Sequence, residues 1–378
     1  MLKKICFCTT VSSTLETFVL PTARALYDTN EYEIYFISTS NKKFEKKLPD
    51  YITFIPINMK RGIDLSAFKS IFLFYKYFKL YHFDIVQYST PNASLYASIA
   101  SKYAKIPVRL YAQWGIRYVG FSGLKRKVFK FIEKIICRKS TDIRAVSNMN
   151  RDYSIKERLY QKEKVKVLGS GGTIGVSLDE FNYEYKKRYR KEIRDLYNLN
   201  NEFLFGFVGR LSTDKGANEL LECLKKLNSE NIKLFCIGPK ENDGSINKDL
   251  LQWAENSNRV IFTGFISHDM LERYYATLDC FIHPTYREGF GMVLQEAGAM
   301  GCPIITTDIP GASEVMENKK SCLLAKPKDV ESLYNCMNKL IIDSEFRRKL
   351  GEAARIRVLE LFERKIMIQN QIEDYRNL

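Results

Sequence analysis

Short hydrophobic runs rich in β-branched and aromatic residues recur along the chain, with longer segments of helical periodicity between them. In the first half they read "KICFCTT", "YEIYFIST", "YITFIPI", "FDIVQYS", "VRLYAQW", "DIRAVS" and "VKVLG". In the second they read "FLFGFVG", "IKLFCIG", "RVIFTG", "DCFIHPT" and "PIITT". Most are continuous rather than alternating, as expected of parallel strands covered by helices on both faces. Each half therefore predicts a doubly wound α/β domain, and two such domains facing each other across a cleft would offer a ligand a place to bind. The glycine-rich stretch "GSGGTIGVSLDEFN", running into the charged "YKKRYRKEIR", marks the expected joint. Residues 1–178 are read as the first domain and 179–360 as the second. The remaining 361–378 are read as a helix, with Ile366, Ile368 and Ile372 available for docking, that could close the second domain or pack back on the first.

At 378 residues the chain suits two domains of ordinary size, and 45% apolar with 27% charged residues is the composition of a folded protein. The longest apolar stretch, "SIFLFYKYFKLY", is broken by Lys76 and Lys79 and is too short to span a bilayer. The opening "MLKKICFCTTVSS" reads as a core strand rather than a signal peptide. Nine scattered cysteines point to a reduced, cytoplasmic protein, with Cys6 and Cys8 sharing one strand face as core residues. The net charge of +15 is unevenly placed. Residues 1–178 hold 30 Lys and Arg against 13 Asp and Glu, a net +17, while the remainder holds 29 against 31, a net −2.

Chemistry concentrates in the second half. In "REGFGMVLQE", Glu288 follows a strand and precedes Gly289 and Gly291, where a helix begins and backbone N–H groups favour a polar or anionic ligand. A carboxylate there can accept sugar hydroxyls or simply cap the helix. Glu296 shares a face with Met292, Val293, Ala299 and Met300, the expected buried face, so it needs a partner. The vicinal hydroxyls of a ligand or a buried Arg or Lys would serve equally. In "FVGRLSTDKGANELL" a strand ends at Gly209 and a loop carries Arg210 and Lys215 to the start of an amphipathic helix. A guanidinium and an ammonium converging beside a helix N-terminus suit a diphosphate.

Four motifs in order, "GRLSTDKG", "TGFISHDML", "PTYREGFGMVLQEAGAMGCPII" and "GASEV", resemble the C-terminal domain of family 4 of the retaining nucleotide-sugar glycosyltransferases, which have the GT-B fold. The wording is most similar to bacterial enzymes of capsule, exopolysaccharide and O-antigen synthesis. The resemblance implies catalytic roles for Glu288, Arg210 and Lys215. It puts the basic pair on the donor diphosphate, Glu288 at the transferred sugar and Glu296 on the ribose. Gly289, Phe290, Gly291 and Met292 join the donor site, and Gly264, Phe265 and Ile266 border the base. Glu296 is thereby assigned to ligand binding. A UDP-sugar is the expected donor, with no cofactor required, and no Asp-x-Asp stands where a divalent metal would need it. Transfer would retain the anomeric configuration by front-face attack.

The first half matches more loosely, through "DIVQYSTPNASLYASIASKYAKIPVRLYAQWG", "AVSN" and "KVLGSGGTIGVSLDEF". It departs from the family at the first strand, where "TTVSSTLETF" replaces paired glycines and is expected to form a larger loop bearing Ser12, Ser13 and Thr14. It also has Trp114 where many relatives have histidine; of the three histidines, His283 is read as a core or supporting residue. Ser12, Ser13, Asn92 and Trp114 are the expected acceptor-side residues. Lys127, Lys130, Lys134 and Arg138 form a basic stripe, with Phe131, Ile132, Ile135 and Ile136 expected toward the core. With Lys69, Lys76 and Lys79 the stripe suits an anionic inner membrane leaflet, where a lipid-linked glycan acceptor would be met. No nucleic-acid-binding motif accompanies the basic charge. A non-catalytic binding partner of the same fold and, below it, a nucleotide-sugar epimerase are the competing readings.

Overall fold

Along the first strand, Lys3–Cys8 (β1), successive side chains enter different cores: Ile5 and Phe7 join one buried cluster, Cys6 and Cys8 another. That alternation, with apolar residues on both sides, is what a strand sandwiched between helices requires. The computed structural model describes residues 2–60, 62, 66–241 and 244–378. They divide into two units, Met1–Ile174 with Lys365–Leu378, and Gly175–Arg364.

In the first unit β1 is followed by Tyr32–Ser38 (β2), Ile52–Pro56 (β3), Ile85–Tyr88 (β4), Val108–Gln113 (β5), Asp142–Ala145 (β6) and Val165–Lys166 (β7). All pairings are parallel, in the order β3-β2-β1-β4-β5-β6-β7. Ile34, Phe36 and Ile85 extend the cluster of Ile5 and Phe7, and Tyr35, Ile37, Val86 and Tyr88 extend the other. The helix Arg364–Arg376 supplies Ile372 and Tyr375 to the first cluster, while Ile366 stays exposed. It is also held by a buried bidentate pair, Arg144 Nε and Nη2 donating to Asp374 Oδ2 and Oδ1 at 2.6 and 2.9 Å.

The second unit holds Phe203–Val208 (β8), Ile232–Ile237 (β9), Val260–Gly264 (β10), Cys280–His283 (β11), Ile304–Thr307 (β12) and Leu323–Ala325 (β13). These are again parallel, in the order β10-β9-β8-β11-β12-β13. Each sheet reverses its direction of growth once, between β1 and β4 and between β8 and β11. At such a switch point the loops leaving the carboxyl ends of the two strands run to opposite faces and open a crevice for ligand. The segments joining the units are paired within the second: Val176 N donates to Phe362 O at 2.9 Å and Arg364 N to Val176 O at 2.8 Å.

Among the described residues no helix is long and apolar enough to cross a membrane. The described cysteines are all unpaired, and Cys6 and Cys8 lie with their sulfurs 3.7 Å apart.

Candidate functional site

The loops that follow β8 and β11, on either side of the second switch point, are stitched together. Tyr286 N and Thr285 Oγ1 donate to Asp214 O at 2.9 and 3.2 Å, and Arg287 pairs with Asp214 at 3.1 Å. The Tyr286 hydroxyl donates to Glu219 at 2.6 Å. Gly216 makes this approach possible: its φ is +75°, and a Cβ there would lie 2.1 Å from the Pro284 carbonyl oxygen.

Lys215 and Glu288, read from separate motifs, meet across this junction with Nζ and Oε2 3.0 Å apart. The same Oε2 accepts from His283 Nε2 at 3.0 Å, and Oε1 accepts from Gly289 N at 2.9 Å. Burial alone would raise the Glu288 carboxyl, but the His283 hydrogen bond and the Lys215 charge outweigh it and hold the group well below the usual carboxylate range. His283 moves the other way: burial lowers its pKa by more than the neighbouring carboxylate raises it. Glu288 is therefore ionised and takes its hydrogen bond from His283 Nε2. Three residues on, Gly291 opens the helix Met292–Ala299 with φ +47°. Phe290 turns its ring away to pack edge-on against Phe362 at 5.5 Å.

The expectation that Glu296 lies on one buried face needs correction, because the helix is buried on every side from Leu294 to Ala299. Gly298 lets it press against Val358 and Met316. Nor is the partner of Glu296 an Arg or Lys: Oε2 accepts from the Tyr275 hydroxyl at 2.9 Å, and Oε1 lies 3.4 Å from His268 Nε2. His268 also faces Glu180 at 3.7 Å, and its pKa is raised, first by the hydrogen bond to Glu296. His268 and Tyr275 were not singled out as site residues from sequence. Their signal was a seven-residue spacing on one helix, His268–Thr277, which puts them two turns apart on one side.

Arg210, in the loop after β8, is half-exposed and pairs with Glu241 at 2.5 Å. Gly264 ends β10 with φ +69°, its carbonyl accepting from Gly238 N at 2.9 Å, and Phe265 beside it is largely exposed. Ile266 is partly buried.

In the first unit the loop after β1 is short, not enlarged: the next helix is already Ser12–Phe18. Thr10 closes the loop against its neighbour, its N and Oγ1 lying 2.9 and 2.8 Å from Thr90 Oγ1. Ser12 is buried at the head of that helix and Ser13 is exposed. The Asn92 amide nitrogen is spent on backbone, donating to Lys60 O at 2.7 Å and Gly62 O at 2.6 Å. Trp114 packs on Phe18, ring centroids 5.6 Å apart, and lines a cavity of about 50 Å³ with Gln87, Arg144 and Gln371.

In the basic helix Gly123–Lys139, Ile136 is buried and Ile132 packs against the core as expected, but the face is turned enough to leave Phe131 outside. Phe131 is 63% exposed and Leu124 77%, with Val128 between them, while Glu133, Ile136 and Cys137 face inward. The inward polar position is affordable because Tyr111 and Gln113 of β5 donate to Glu133 at 2.9 and 2.8 Å. Lys127 and Arg138 are exposed, Lys134 is partly buried, and Lys130 pairs with Glu157 at 2.6 Å. Among the described residues no group of three or more His, Cys, Asp or Glu is placed to hold a metal ion.

A model described as "Glycosyl transferases group 1" matches residues 189–357, and one described as "Glycosyl transferase 4-like" matches residues 4–147. The capsular polysaccharide biosynthesis glycosyltransferase CapM of Staphylococcus aureus is 32% identical over 356 residues, 91% of this chain and 90% of that protein. The N,N'-diacetylbacillosaminyl-diphospho-undecaprenol alpha-1,3-N-acetylgalactosaminyltransferase of Campylobacter jejuni is 25% identical, covering 98% of both. Among solved structures, Anabaena HepE in complex with UDP and glucose superposes with a TM-score of 0.81 at 20% identity, covering 100% of both chains.

Proposed function

Because this chain belongs to the group 1, family 4-like glycosyltransferases, we propose that it transfers a sugar, with retention, from a UDP-sugar to a lipid-linked glycan during bacterial surface polysaccharide synthesis. That it is a glycosyltransferase follows from the family. The donor, the stereochemistry and the acceptor are the proposal. One observation carries it: a partly buried, ionised Glu288 held 3.0 Å from Lys215 at the switch point, three residues before the glycine at which a helix begins.

In this reading Lys215 and Arg210 neutralise the donor diphosphate, each leaving the carboxylate it now pairs with. Glu288 retains acceptor capacity beyond its three bonds and takes a hydroxyl of the transferred sugar. Glu296, already steadied by Tyr275, takes the ribose. Chemistry then needs no protein base. The bond from the anomeric carbon to the β-phosphate oxygen breaks, the acceptor hydroxyl oxygen bonds to the same face of that carbon, and its proton passes to the departing phosphate. The protein contributes charge stabilisation and positioning. UDP beside a superposable chain in HepE, and a diphospho-undecaprenol acceptor in the name of the Campylobacter relative, support the donor and acceptor classes.

A peripheral place on an anionic membrane surface fits the first unit. Exposed Leu124, Val128 and Phe131 lie among Lys127 and Arg138 on one helix, and exposed Phe68 and Phe72 lie beside Lys69 and Lys76 on another, Ser66–Tyr81.

Calorimetry with UDP-, GDP-, dTDP- and ADP-sugars tests the donor. UDP-sugars should bind best, and Lys215→Ala and Glu288→Ala should each lower transfer by about 100-fold or more. Near-wild-type rates in both variants would refute the site.

A further inference from the structure

We infer that His283 is the positioning residue that keeps the Glu288 carboxylate aimed once Lys215 has turned to the donor phosphates, an inference that rests on the donor reading above. Glu288 Oε2 is shared by two donors, Lys215 Nζ and His283 Nε2, each at 3.0 Å. Only one of them can leave. Lys215 sits on a loop with a side chain still in contact with solvent, and a diphosphate, carrying more negative charge than one carboxylate, draws its ammonium away.

His283 cannot follow. It ends β11 and is 2% exposed, its carbonyl accepts from Thr306 Oγ1 at 3.0 Å, and its ring lies nearly parallel to that of Phe281. Its hydrogen bond is also defined chemically. An ionised carboxylate only accepts, so Nε2 must carry a proton. Nδ1 is buried and finds no hydrogen-bond partner among the described residues. A second proton there would create a buried N–H with nothing to receive it, so the ring stays a neutral donor. An apolar side chain at 283 would avoid the bare nitrogen. What the imidazole adds is one fixed hydrogen bond to Glu288, which with Gly289 N–H leaves that carboxylate two donors after Lys215 departs.

The test uses the full chain with UDP as binding probe, and release of UDP from whichever of UDP-glucose, UDP-galactose and UDP-N-acetylglucosamine the wild type turns over. His283→Leu should keep UDP affinity while kcat falls by about 10- to 100-fold, the worth of one hydrogen bond to a charged group. His283→Gln, whose amide nitrogen can stand where Nε2 stands, should recover most of the loss and leave the pH profile of kcat/KM unchanged. Should the leucine variant not fold, His283→Asn, too short to reach Oε2, replaces it. Three results would overturn the inference alone: a leucine variant with wild-type kcat, a glutamine variant no better than leucine, or a wild-type pH limb that disappears in His283→Gln. Wild-type protein that binds no UDP and releases none from any of the three sugars would overturn the donor reading as well.

Discussion

Glu288 and Glu296 are both carboxylates in largely buried surroundings, and their partners separate them. Glu288 is crossed by a full positive charge from Lys215, whereas Glu296 is held by the Tyr275 hydroxyl with half-exposed His268 at its edge. A pH effect follows for His268. Its folded pKa is raised, first by the hydrogen bond to Glu296 and against the effect of burial, so folding favours its protonated form. That contribution is fully present below the ordinary histidine pKa and is lost as pH rises through the raised folded value. Thermal melts should therefore show wild-type protein losing stability relative to His268→Gln as pH increases from about 6 to 8. Parallel curves would show that the ring gains nothing from Glu296. The Lys215–Glu288 pair could not be read from spacing, because the two residues are 73 positions apart and only the β8–β11 neighbour relation brings them together.

At the scale of elements, the helix Gly123–Lys139 shows how one polar residue can reset an amphipathic face. Counting apolar positions places Phe131 inside, but Glu133 finds two donors on β5, and the helix turns to bury it. Leu124, Val128 and Phe131 are left outside at spacings of four and three, so the surface among the lysines is apolar as well as basic. Binding to an anionic bilayer should then have two separable parts. Replacing Leu124, Val128 and Phe131 together by serine should weaken co-sedimentation with phosphatidylglycerol vesicles at every salt concentration. Replacing Lys127 and Arg138 by glutamine should weaken it mainly at low salt, by about 1 kcal/mol for each charge. Wild-type protein that ignores such vesicles at low salt would remove the membrane from the proposal. By contrast, the helix Met292–Ala299 is too short for its periodicity to say which side is dry, and it is buried all round because neighbouring elements close over it.

For the whole molecule, connectivity matters more than length. The chain leaves the first unit after Ile174 and re-enters it at Lys365, so its last helix shares a core with its first strand. Asp374 and Arg144 join these distant segments in a buried, two-bond pair. Asp374→Ala would remove both short hydrogen bonds of the buried guanidinium and leave it the Asp142 carboxylate at 3.9 Å, and chemical denaturation should show the first unit losing about 3 kcal/mol. A change within 1 kcal/mol would mean that the apolar contacts of Ile372 and Tyr375 alone hold the helix. Two parallel sheets, the positions of most strands and the candidacy of Arg210, Lys215 and Glu288 follow from local sequence, since continuous apolar runs and glycine-flanked charges carry their meaning within a dozen residues. The order in which strands pair, the rotation of the basic helix, the spent amide of Asn92 and the hydrogen bond from His283 to Glu288 do not. Each depends on which distant group arrives to satisfy a buried polar atom, and that is decided only when the sheet assembles and its switch point brings separate loops together.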